Sequence, residues 1–360
     1  MSTVTSARLL ALAAIPALAF ASACSDQTTD PLLSRSGTPS AARTPSSISI
    51  IDLGTLDPGS NPNPVAEATD VNPTGIAVGF GWSGVGGAYH AFVWKNGELI
   101  DLHPAGEGGQ SVARGISPSG GDIVGEAPTQ NGTQFHAVIW RGGKIIDLGT
   151  LGGAQSEALG INASGAVVGW SDPAANPSGP PHAFLWKSGT MQDLGTLGGD
   201  NSEAHAINAT GQIVGFSQTA EQIRHAFLWS GGVMRDIGTL GHFSAAFDIN
   251  SAGDVVGWNE FEGFVHHAAL WRQGRLVDLG TLGGSFSEAY GINDADAVVG
   301  VSETTNGEFH AFIWSGGVMK DLGTLGGTSS SADAIAANGL IAGTSTDGTG
   351  ASPAVFWKVR

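Results

Sequence analysis

One sequence pattern recurs along most of the chain and limits the folds that it can adopt. Segment 182–199 reads HAFLWKSGTMQDLGTLGG, and segment 310–327 reads HAFIWSGGVMKDLGTLGG. A repeat of fixed period builds its structure from copies of one supersecondary unit that stack on one another. The architecture is therefore set by what one copy can form and by how successive copies pack.

Two signatures recur in phase. The first, D-[LI]-G-T-L, has a degenerate copy at Asp101, and its seven copies start 42 to 49 residues apart, at Asp52, Asp101, Asp147, Asp193, Asp236, Asp278 and Asp321. The second, His-Ala-Phe-hydrophobic-Trp with small variations, starts at His90, His136, His182, His225, His267 and His310, and a last copy, PAVFW, ends the chain. Periods of this length are typical of four-stranded propeller blades.

Each period divides into four strand-length pieces. In one period these are DLGTL (193–197), SEAHAIN (202–208), QIVGFS (212–217) and HAFLW (225–229). Short turns that contain glycine separate them, as in antiparallel hairpins. HAFLW is apolar at almost every position, which indicates sheets that are covered on both faces.

The two ends of the repeat region complement each other. SISIIDLGTL (47–56) and PAVFW (353–357) each lack a neighbouring strand in sequence. If they pair, no unpaired sheet edge is left between the ends. We therefore predict an all-β fold, a seven-bladed β-propeller of four-stranded antiparallel blades over residues 48–360, closed by pairing of the N- and C-terminal strands. An open solenoid or a parallel β-helix is the alternative, but it would not need complementary incomplete units at its ends.

The repeated words resemble the HAF-repeat family of extracellular bacterial proteins. The His-Ala-Phe tripeptide stands at 90–92, 182–184, 225–227 and 310–312, and the resemblance spans residues 48–360. It implies export. The family carries no established activity that can be transferred to this chain.

The N-terminus has the pattern of a secretory signal. Arg8 precedes the apolar run 9–21, which is too short to span a bilayer and is followed by small residues. FASA before Cys24 resembles a bacterial lipoprotein signal, which implies lipidation of Cys24 and an outer-membrane, cell-envelope or extracellular location. The alternative is an ordinary cleaved signal with an incidental cysteine. We expect a signal peptide at 1–23, a Ser/Thr/Pro-rich tether at 24–47 and the propeller at 48–360.

Charge excludes one class of partner. The formal net charge is −17, and binding to nucleic acid or to an anionic membrane surface needs clustered Lys and Arg. We expect no nucleic acid partner, and contact with a membrane only through the N-terminal lipid.

Residues that recur in every copy are predicted to be structural. His182 and Asp193, and the other five pairs with the same 11-residue spacing, are expected to hydrogen-bond across a hairpin. The one Trp that ends each HAF word is expected to pack between blades. The Asn-x-x-Gly segments, such as 162–165, are expected to form turns.

Ligand binding is expected where the copies differ. The connections that lead into the HAF words, such as 169–181 and 257–266, vary strongly, and variable loops on a rigid scaffold commonly carry recognition. Aromatic rings beside acids suit a glycan, a peptide or a protein. The predicted ligand-binding residues are Trp82, Trp170, Phe216, Trp258, Asp172, Glu221, Glu260 and Glu262. The alternative is that the aromatics only plug the ends of the blades.

A second candidate site is a set of four glutamates on the predicted innermost strands. Several carboxylates that face one channel can bind Ca²⁺, which prefers oxygen ligands. The predicted metal ligands are Glu67, Glu157, Glu203 and Glu288. The alternative is that they accept backbone hydrogen bonds from adjacent Gly-Gly loops. No other cofactor is expected.

No catalytic motif is evident. The sequence has no G-x-S-x-G elbow, no H-E-x-x-H and no P-loop. The leading prediction is a cell-surface binding or interaction module, and whether the chain is an enzyme stays open. The alternatives are an extracellular polysaccharide-active hydrolase or lyase, since two carboxylates suffice for glycoside hydrolysis, and a purely structural surface protein.

Overall fold

The computed structural model describes residues 47–56, 63–84, 87–103, 109–129, 132, 134–174, 179–238, 243–261, 263 and 265–359. The predicted signal peptide, Cys24 and Glu262 lie outside these residues. None of the described residues belongs to an apolar helix long enough to cross a membrane. The described residues form 28 strands, so the fold is all-β, as predicted.

The strands follow one plan in groups of four, each an antiparallel sheet whose strands pair in chain order. The first three groups are β2 (Ala66–Val71), β3 (Ala77–Trp82), β4 (Tyr89–Lys95) and β5 (Glu98–Asp101); β6 (Val112–Ile116), β7 (Asp122–Pro128), β8 (Phe135–Arg141) and β9 (Lys144–Asp147); and β10 (Gly152–Ile161), β11 (Val167–Pro173), β12 (His182–Lys187) and β13 (Thr190–Asp193).

The next three groups have the same order. They are β14 (Gly198–Ile207), β15 (Ile213–Thr219), β16 (Arg224–Ser230) and β17 (Val233–Asp236); β18 (Ser244–Ile249), β19 (Val255–Phe261), β20 (Val265–Arg272) and β21 (Arg275–Asp278); and β22 (Gly283–Ile292), β23 (Val298–Thr304), β24 (Phe309–Ser315) and β25 (Val318–Asp321). The last two of these sheets are joined by one parallel pairing, between His266 and Phe286.

The last sheet combines the two ends of the repeat region. It contains β26 (Gly326–Ile335), β27 (Ile341–Asp347), β28 (Ala354–Val359) and, as its fourth strand, β1 (Ile48–Gly54). Ile50 lies opposite Trp357 and Asp52 lies opposite Val355 in the antiparallel pair of β1 and β28. The pairing predicted for the two terminal segments is therefore present.

The fourth strands differ from the predicted ones. DLGTL was expected to be a strand that starts at the aspartate, but β13 ends at Asp193 and the next strand starts at Gly198. Asp193 Oδ1 accepts the N–H of Gly195 at 2.7 Å, and Gly195 has a φ of 73°. The chain turns at this point, so GTLGG connects one sheet to the first strand of the next.

Neighbouring sheets pack face to face in chain order. One cluster of buried residues joins Val124 and Ile139 of the second sheet to Val167 and Phe184 of the third. Another joins the first sheet to the last, since it contains Phe92 and Phe356. The apolar HAF strands are thus covered on both faces, as their sequence indicates.

The tryptophan that ends each HAF word belongs to this packing. In the described part of the chain there are seven such clusters, and each contains or contacts one of these residues, namely Trp94, Trp140, Trp186, Trp229, Trp271, Trp314 and Trp357. Their predicted role in packing between sheets is confirmed.

The histidines of the HAF words pair as predicted. In all six pairs, His Nδ1 lies 2.6 to 3.1 Å from a carboxylate oxygen of the aspartate 11 residues later. Each pair joins the third and fourth strands of one sheet, which identifies it as part of the framework.

Candidate functional site

The predicted ligand-binding aromatics lie on second strands rather than in loops. Trp82, Trp170, Phe216 and Trp258 belong to β3, β11, β15 and β19 respectively. Trp170 lies opposite Glu157 and Phe216 lies opposite Glu203 in the strand register. Two of the predicted aromatics are therefore direct cross-strand neighbours of two of the predicted glutamates.

Neighbouring side chains occupy the faces of several of these rings. Phe216 is 7% exposed, and the guanidinium carbon of Arg224 lies 4.3 Å from its ring centroid. Trp258 stacks on His266 with ring centroids 4.1 Å apart, and Trp82 meets Tyr89 edge to face. This packing favours the alternative in which the aromatics fill the ends of the sheets.

The predicted ligand-binding acids differ in exposure and in the strands that carry them. Asp172 is a buried residue of β11, Glu221 is exposed in the turn after β15, and Glu260 lies on β19 opposite His266. They belong to three different sheets or their connections, and Glu262 lies outside the described residues.

Two of the predicted metal ligands are held by side-chain donors of the protein. Glu157 accepts bonds from Arg114 Nε at 2.7 Å and Trp170 Nε1 at 3.0 Å. Glu288 Oε2 accepts the Tyr290 hydroxyl at 2.7 Å. Among the residues that the structure describes, no group of three or more His, Cys, Asp or Glu side chains could hold a metal ion. The expectation of Ca²⁺ at Glu67, Glu157, Glu203 and Glu288 gains no support.

A set of residues that sequence reasoning missed lies two positions beyond these glutamates. Every first strand contains a β-bulge, and in β14 Ala204 lies opposite Gly215 and Ala206 opposite Val214, which leaves His205 as the extra residue. We call the extra residues the bulge cluster. They are Thr69, Arg114, Leu159, His205, Phe247, Tyr290 and Asp333.

The bulge cluster converges from several sheets. The His205 and Phe247 rings are 5.1 Å apart and the Phe247 and Tyr290 rings are 5.6 Å apart. Burial raises the pKa of Tyr290 well above its usual value, and Glu288, Asp333 and Glu67 add to the shift. Side chains of the first, sixth and last sheets therefore lie near the Tyr290 hydroxyl.

Burial sets the protonation of this region. It lowers the pKa of His205 to about 4, with Arg224 and Arg114 contributing, and His205 Nε2 is buried without a hydrogen-bond partner among the described residues. Burial and the neighbouring Glu157 raise the pKa of Glu126 to about 8, opposed by Arg114. Near neutral pH this region therefore offers a neutral imidazole at His205 and a protonated carboxyl at Glu126 of β7, which suit hydrogen bonding to a polar ligand.

A cavity of about 220 Å³ lies beside the turns that follow the first strands. Its lining includes isoleucines that stand two positions after members of the bulge cluster and asparagines of the Asn-x-x-Gly turns: Ile161, Ile207, Ile249, Ile292, Ile335, Asn162, Asn208, Asn250 and Asn293. The Asn-x-x-Gly turns follow the last residues of the first strands, whereas the GTLGG segments lead into the first residues of those strands. Leu197 of one GTLGG segment forms a β-bridge with Thr219, beside the variable connection. The described cavity is thus not on the face that the sequence predicted.

The asparagines of these turns are framework, as expected. Asn162 Oδ1 accepts the N–H groups of Ser164 and Ala166, and its Nδ2 donates to Asn208 O at 3.0 Å. Asn208 Nδ2 donates in turn to Asn250 O at 3.2 Å. Each such amide closes its own turn and ties it to the next.

Four-stranded antiparallel sheets that pack face to face in chain order define a β-propeller protein. No family model matches the chain, and no curated protein matches it. Similar folds occur among solved structures, and the likeness shows the fold alone, since every sequence identity is low.

Two of the similar structures are peptidases. A puromycin-hydrolysing peptidase from Mycobacterium tuberculosis has a TM-score of 0.53 and 9% identity, over 79% of this chain and 49% of the peptidase. An acylaminoacyl peptidase, in complex with Z-Gly-Gly-Phe-chloromethyl ketone, has a TM-score of 0.50 and 12% identity, over 83% of this chain and 52% of that one. The chain spans about half the length of each peptidase.

A third similar structure is the β-propeller domain of the Trilobed protease from Pyrococcus furiosus. Its TM-score is 0.41 with 11% identity, over 72% of this chain and 96% of that domain. At this TM-score the likeness carries no weight.

Proposed function

We propose that the chain is an exported binding module, a seven-bladed propeller closed by β1 and β28, that binds its ligand along the central axis through the bulge cluster. Two contacts support the closed arrangement: β1 pairs with β28, and β2 of the first sheet contacts β26 and β27 of the last. A closed propeller brings the first strands of all its sheets around one axis.

One observation carries the binding role. The residue before each bulge is alanine in all seven copies, whereas the bulged residue is Thr, Arg, Leu, His, Phe, Tyr or Asp, each once. A position that only built the blade would be served by the same residue type in every copy. Bulges re-aim side chains and are common beside active sites, so the non-repeated residues at these positions fit recognition of one particular ligand.

Binding agrees better than catalysis with the chemistry of the cluster. The rings of Phe247 and Tyr290 and the neutral His205 supply an apolar wall and hydrogen-bonding atoms, which suit part of a glycan or peptide ligand.

A polysaccharide-active hydrolase or lyase is the second candidate. Burial raises the pKa of Asp333 well above its usual range, with Glu67 adding to the shift, and a raised pKa is what a carboxyl needs to act as a general acid.

The test screens the full chain on glycan and peptide arrays and repeats the capture with cluster variants. His205→Ala and Tyr290→Phe are expected to weaken capture by about tenfold each, the loss of roughly one good contact. His182→Ala, a histidine of the His–Asp framework, is the matched control and is expected to leave capture unchanged. Equal capture by all variants would refute binding at the cluster. Release of shortened glycan products would show that the chain is a polysaccharide-active hydrolase or lyase instead.

Export and anchoring rest on the N-terminal sequence and have their own test. In a bacterial host, the full chain is expected in the membrane fraction, and Cys24→Ser is expected to shift it to the soluble envelope fraction because a lipid anchor is lost. Recovery of both forms in the cytoplasm would exclude export. The same fractionation of both forms would exclude the lipid.

A further inference from the structure

One copy of the repeat has an acidic residue at a position where another copy has a basic residue. Arg114, the bulged residue of β6, donates from Nε to Glu157 Oε1 at 2.7 Å, and Glu157 lies on the first strand of the following sheet. The equivalent bulged residue of β26 is Asp333, and the equivalent of Glu157 on the following sheet is Glu67. The positions that hold the Arg114–Glu157 ion pair between the second and third sheets hold two acids, Asp333 and Glu67, between the last sheet and the first. We call Asp333 and Glu67 the acid pair.

Asp333 has an unused acceptor. Its Oδ1 accepts the Ser331 hydroxyl at 2.6 Å, whereas Oδ2 is buried and has no hydrogen-bond partner among the described residues. An unpaired buried acceptor is costly. Arg114, the cationic member of the bulge cluster, is already bonded to Glu157.

Without a ligand, the surroundings of Asp333 and Glu67 favour the protonated forms of these carboxyls. Burial raises the pKa of Asp333 well above its usual value, Glu67 raises it further, and Ser331 opposes the shift. Burial also raises the pKa of Glu67, opposed by Arg114. Asp333 and Glu67 in turn raise the pKa of Tyr290, together with burial and Glu288.

A cavity lined by both isoleucine and asparagine side chains lies further along the strand that carries Asp333. Ile335, two residues after Asp333, lines the cavity of about 220 Å³ together with the isoleucines of four other sheets. At a rise of about 3.3 Å per residue, two positions along a strand correspond to roughly 7 Å, which is comparable with an extended chain of four or so methylene groups. An alkyl chain that starts beside Ile335 and runs back along β26 over this distance would end near Asp333.

We propose that the Glu67 and Asp333 carboxylates bind a primary ammonium group, carried by an unbranched alkyl stem that lies among the isoleucines of the cavity. This inference rests on the proposed axial binding site and names the chemical class of its ligand. The ammonium donates to Asp333 Oδ2 and to Glu67 and keeps its three protons, and the proton that the acid pair held passes to the buffer. The arrangement repeats, with a ligand cation, the ion pair that Arg114 and Glu157 form.

The test is calorimetric titration of the full chain with n-butylammonium chloride near neutral pH, in two buffers of different ionisation enthalpy. We expect saturable binding with one site per chain and a heat that depends on the buffer, because protons are released. Tetramethylammonium, which has the charge but no N–H donor, is expected to bind at least about tenfold more weakly. No saturable binding of n-butylammonium, or equal binding of both cations, would overturn the proposal.

Three variants locate the site. Asp333→Asn and Glu67→Gln are expected to weaken n-butylammonium binding by about tenfold or more, because each removes one charge partner at similar volume. Asp333→Arg supplies the cation from the protein itself and is expected to abolish binding while raising the midpoint of thermal unfolding. Asp200→Asn, the same charge change at an exposed residue of β14 outside the cavity lining, is the matched control and is expected to change binding by less than about twofold. Unchanged binding in Asp333→Asn and Glu67→Gln would refute the assignment.

Failure here is distinguishable from failure of the proposed function. If n-butylammonium does not bind but array capture still depends on His205 and Tyr290, the axial site stands and its ligand is not an amine. If capture is also insensitive to His205 and Tyr290, the axial site itself is wrong. A preserved near-ultraviolet dichroism spectrum shows that each variant is folded.

Discussion

His182 Nδ1 lies 2.9 Å from Asp193 Oδ2, between the third and fourth strands of the third sheet. The same carboxylate accepts the N–H of Gly195 through Oδ1 at 2.7 Å. One aspartate thus fixes the outer hairpin of its own sheet and the turn that leads to the next. The pair recurs in five other sheets with the same strand positions.

We predict that the His182–Asp193 pair stabilises the fold most between about pH 4 and pH 6.5. The hydrogen bond to Asp193 raises the pKa of His182 against the opposing effect of burial, so this contribution is complete below the unfolded value of 6.5 and is lost as pH rises through the folded value. For Asp193, burial opposes the shift, but bonds from His182 and Gly195 lower the pKa, so that contribution is lost as pH falls through a value below 3.8.

His182→Gln should therefore cost more stability near pH 5 than near pH 8. Both side chains are partly exposed, so we expect a loss of about 0.5 to 1 kcal/mol near pH 5, measured from urea unfolding midpoints. Lys187→Gln, an exposed residue at the end of the same strand, should show no such pH dependence. A loss that is equal at the two pH values would show that the pair acts only through packing.

Gly215 is predicted to tolerate no side chain. A Cβ at this position would overlap the carbonyl oxygen of Glu203, because the second strand approaches the bulged first strand closely. Gly215→Ala should cost at least about 3 kcal/mol. Gly232→Ala, in a turn with open space around it and a φ of 88°, should cost only about 1 to 2 kcal/mol from backbone strain. Similar urea midpoints for the two variants would contradict the close approach of the strands.

The terminal strands should accept a disulfide. Ser49 and Lys358 lie directly opposite in the antiparallel pair of β1 and β28, and both are exposed. Directly opposed residues have Cβ atoms about 4.5 to 5.5 Å apart, close to disulfide geometry.

The double variant Ser49→Cys/Lys358→Cys, made with Cys24→Ser to remove the native thiol, should form the bond in air. It should raise stability by about 2 to 4 kcal/mol relative to the same protein in reductant. Each single cysteine variant is the control. Free thiols in the oxidised double variant would argue against the terminal pairing.

The repeat and its two signatures were sufficient to predict the all-β fold, the four-stranded units and the pairing of the terminal strands. The His182–Asp193 bond was predictable because an 11-residue spacing across a short hairpin brings two strand positions together. The residues at which each strand begins and ends were harder to predict. DLGTL has the composition of a strand, but Asp193 binds the N–H of Gly195 and ends the strand there, an effect of a local turn that apolar pattern does not reveal.

The candidate site was less predictable than the fold. Glu157 was expected to be a metal ligand, and its donors, Arg114 and Trp170, come from another sheet and another strand. Sequence patterns do not show such contacts. The bulge cluster had a signal, since alignment of the repeats on the alanine before Tyr290 and its equivalents shows one column in which every copy differs. Recognising that column as a set of side chains that approach one another required the bulge, which is a property of strand register.

Asp70 ties two neighbouring first strands together, and its titration gives the last prediction. Its Oδ1 accepts the N–H of Val71 at 2.7 Å and its Oδ2 accepts the N–H of Ile116 at 2.8 Å. Burial raises the pKa of Asp70 from 3.8 to about 7, against the opposing effect of these two bonds. Because the folded value is above the unfolded one, the associated stability is complete below 3.8 and is lost as pH rises through about 7.

Asp70→Asn keeps one acceptor and leaves one buried N–H unpaired, so it should cost about 1 to 3 kcal/mol near pH 5. The asparagine does not ionise, so the gap between the variant and the wild type should narrow as the pH is raised to about 8. Urea midpoints at both pH values measure this gap, with Asp294→Asn as the control because Asp294 bonds Ser251 in an exposed turn. If the gap stays constant with pH, Asp70 is ionised throughout the range, and its link to Ile116 is an ordinary charge-assisted hydrogen bond.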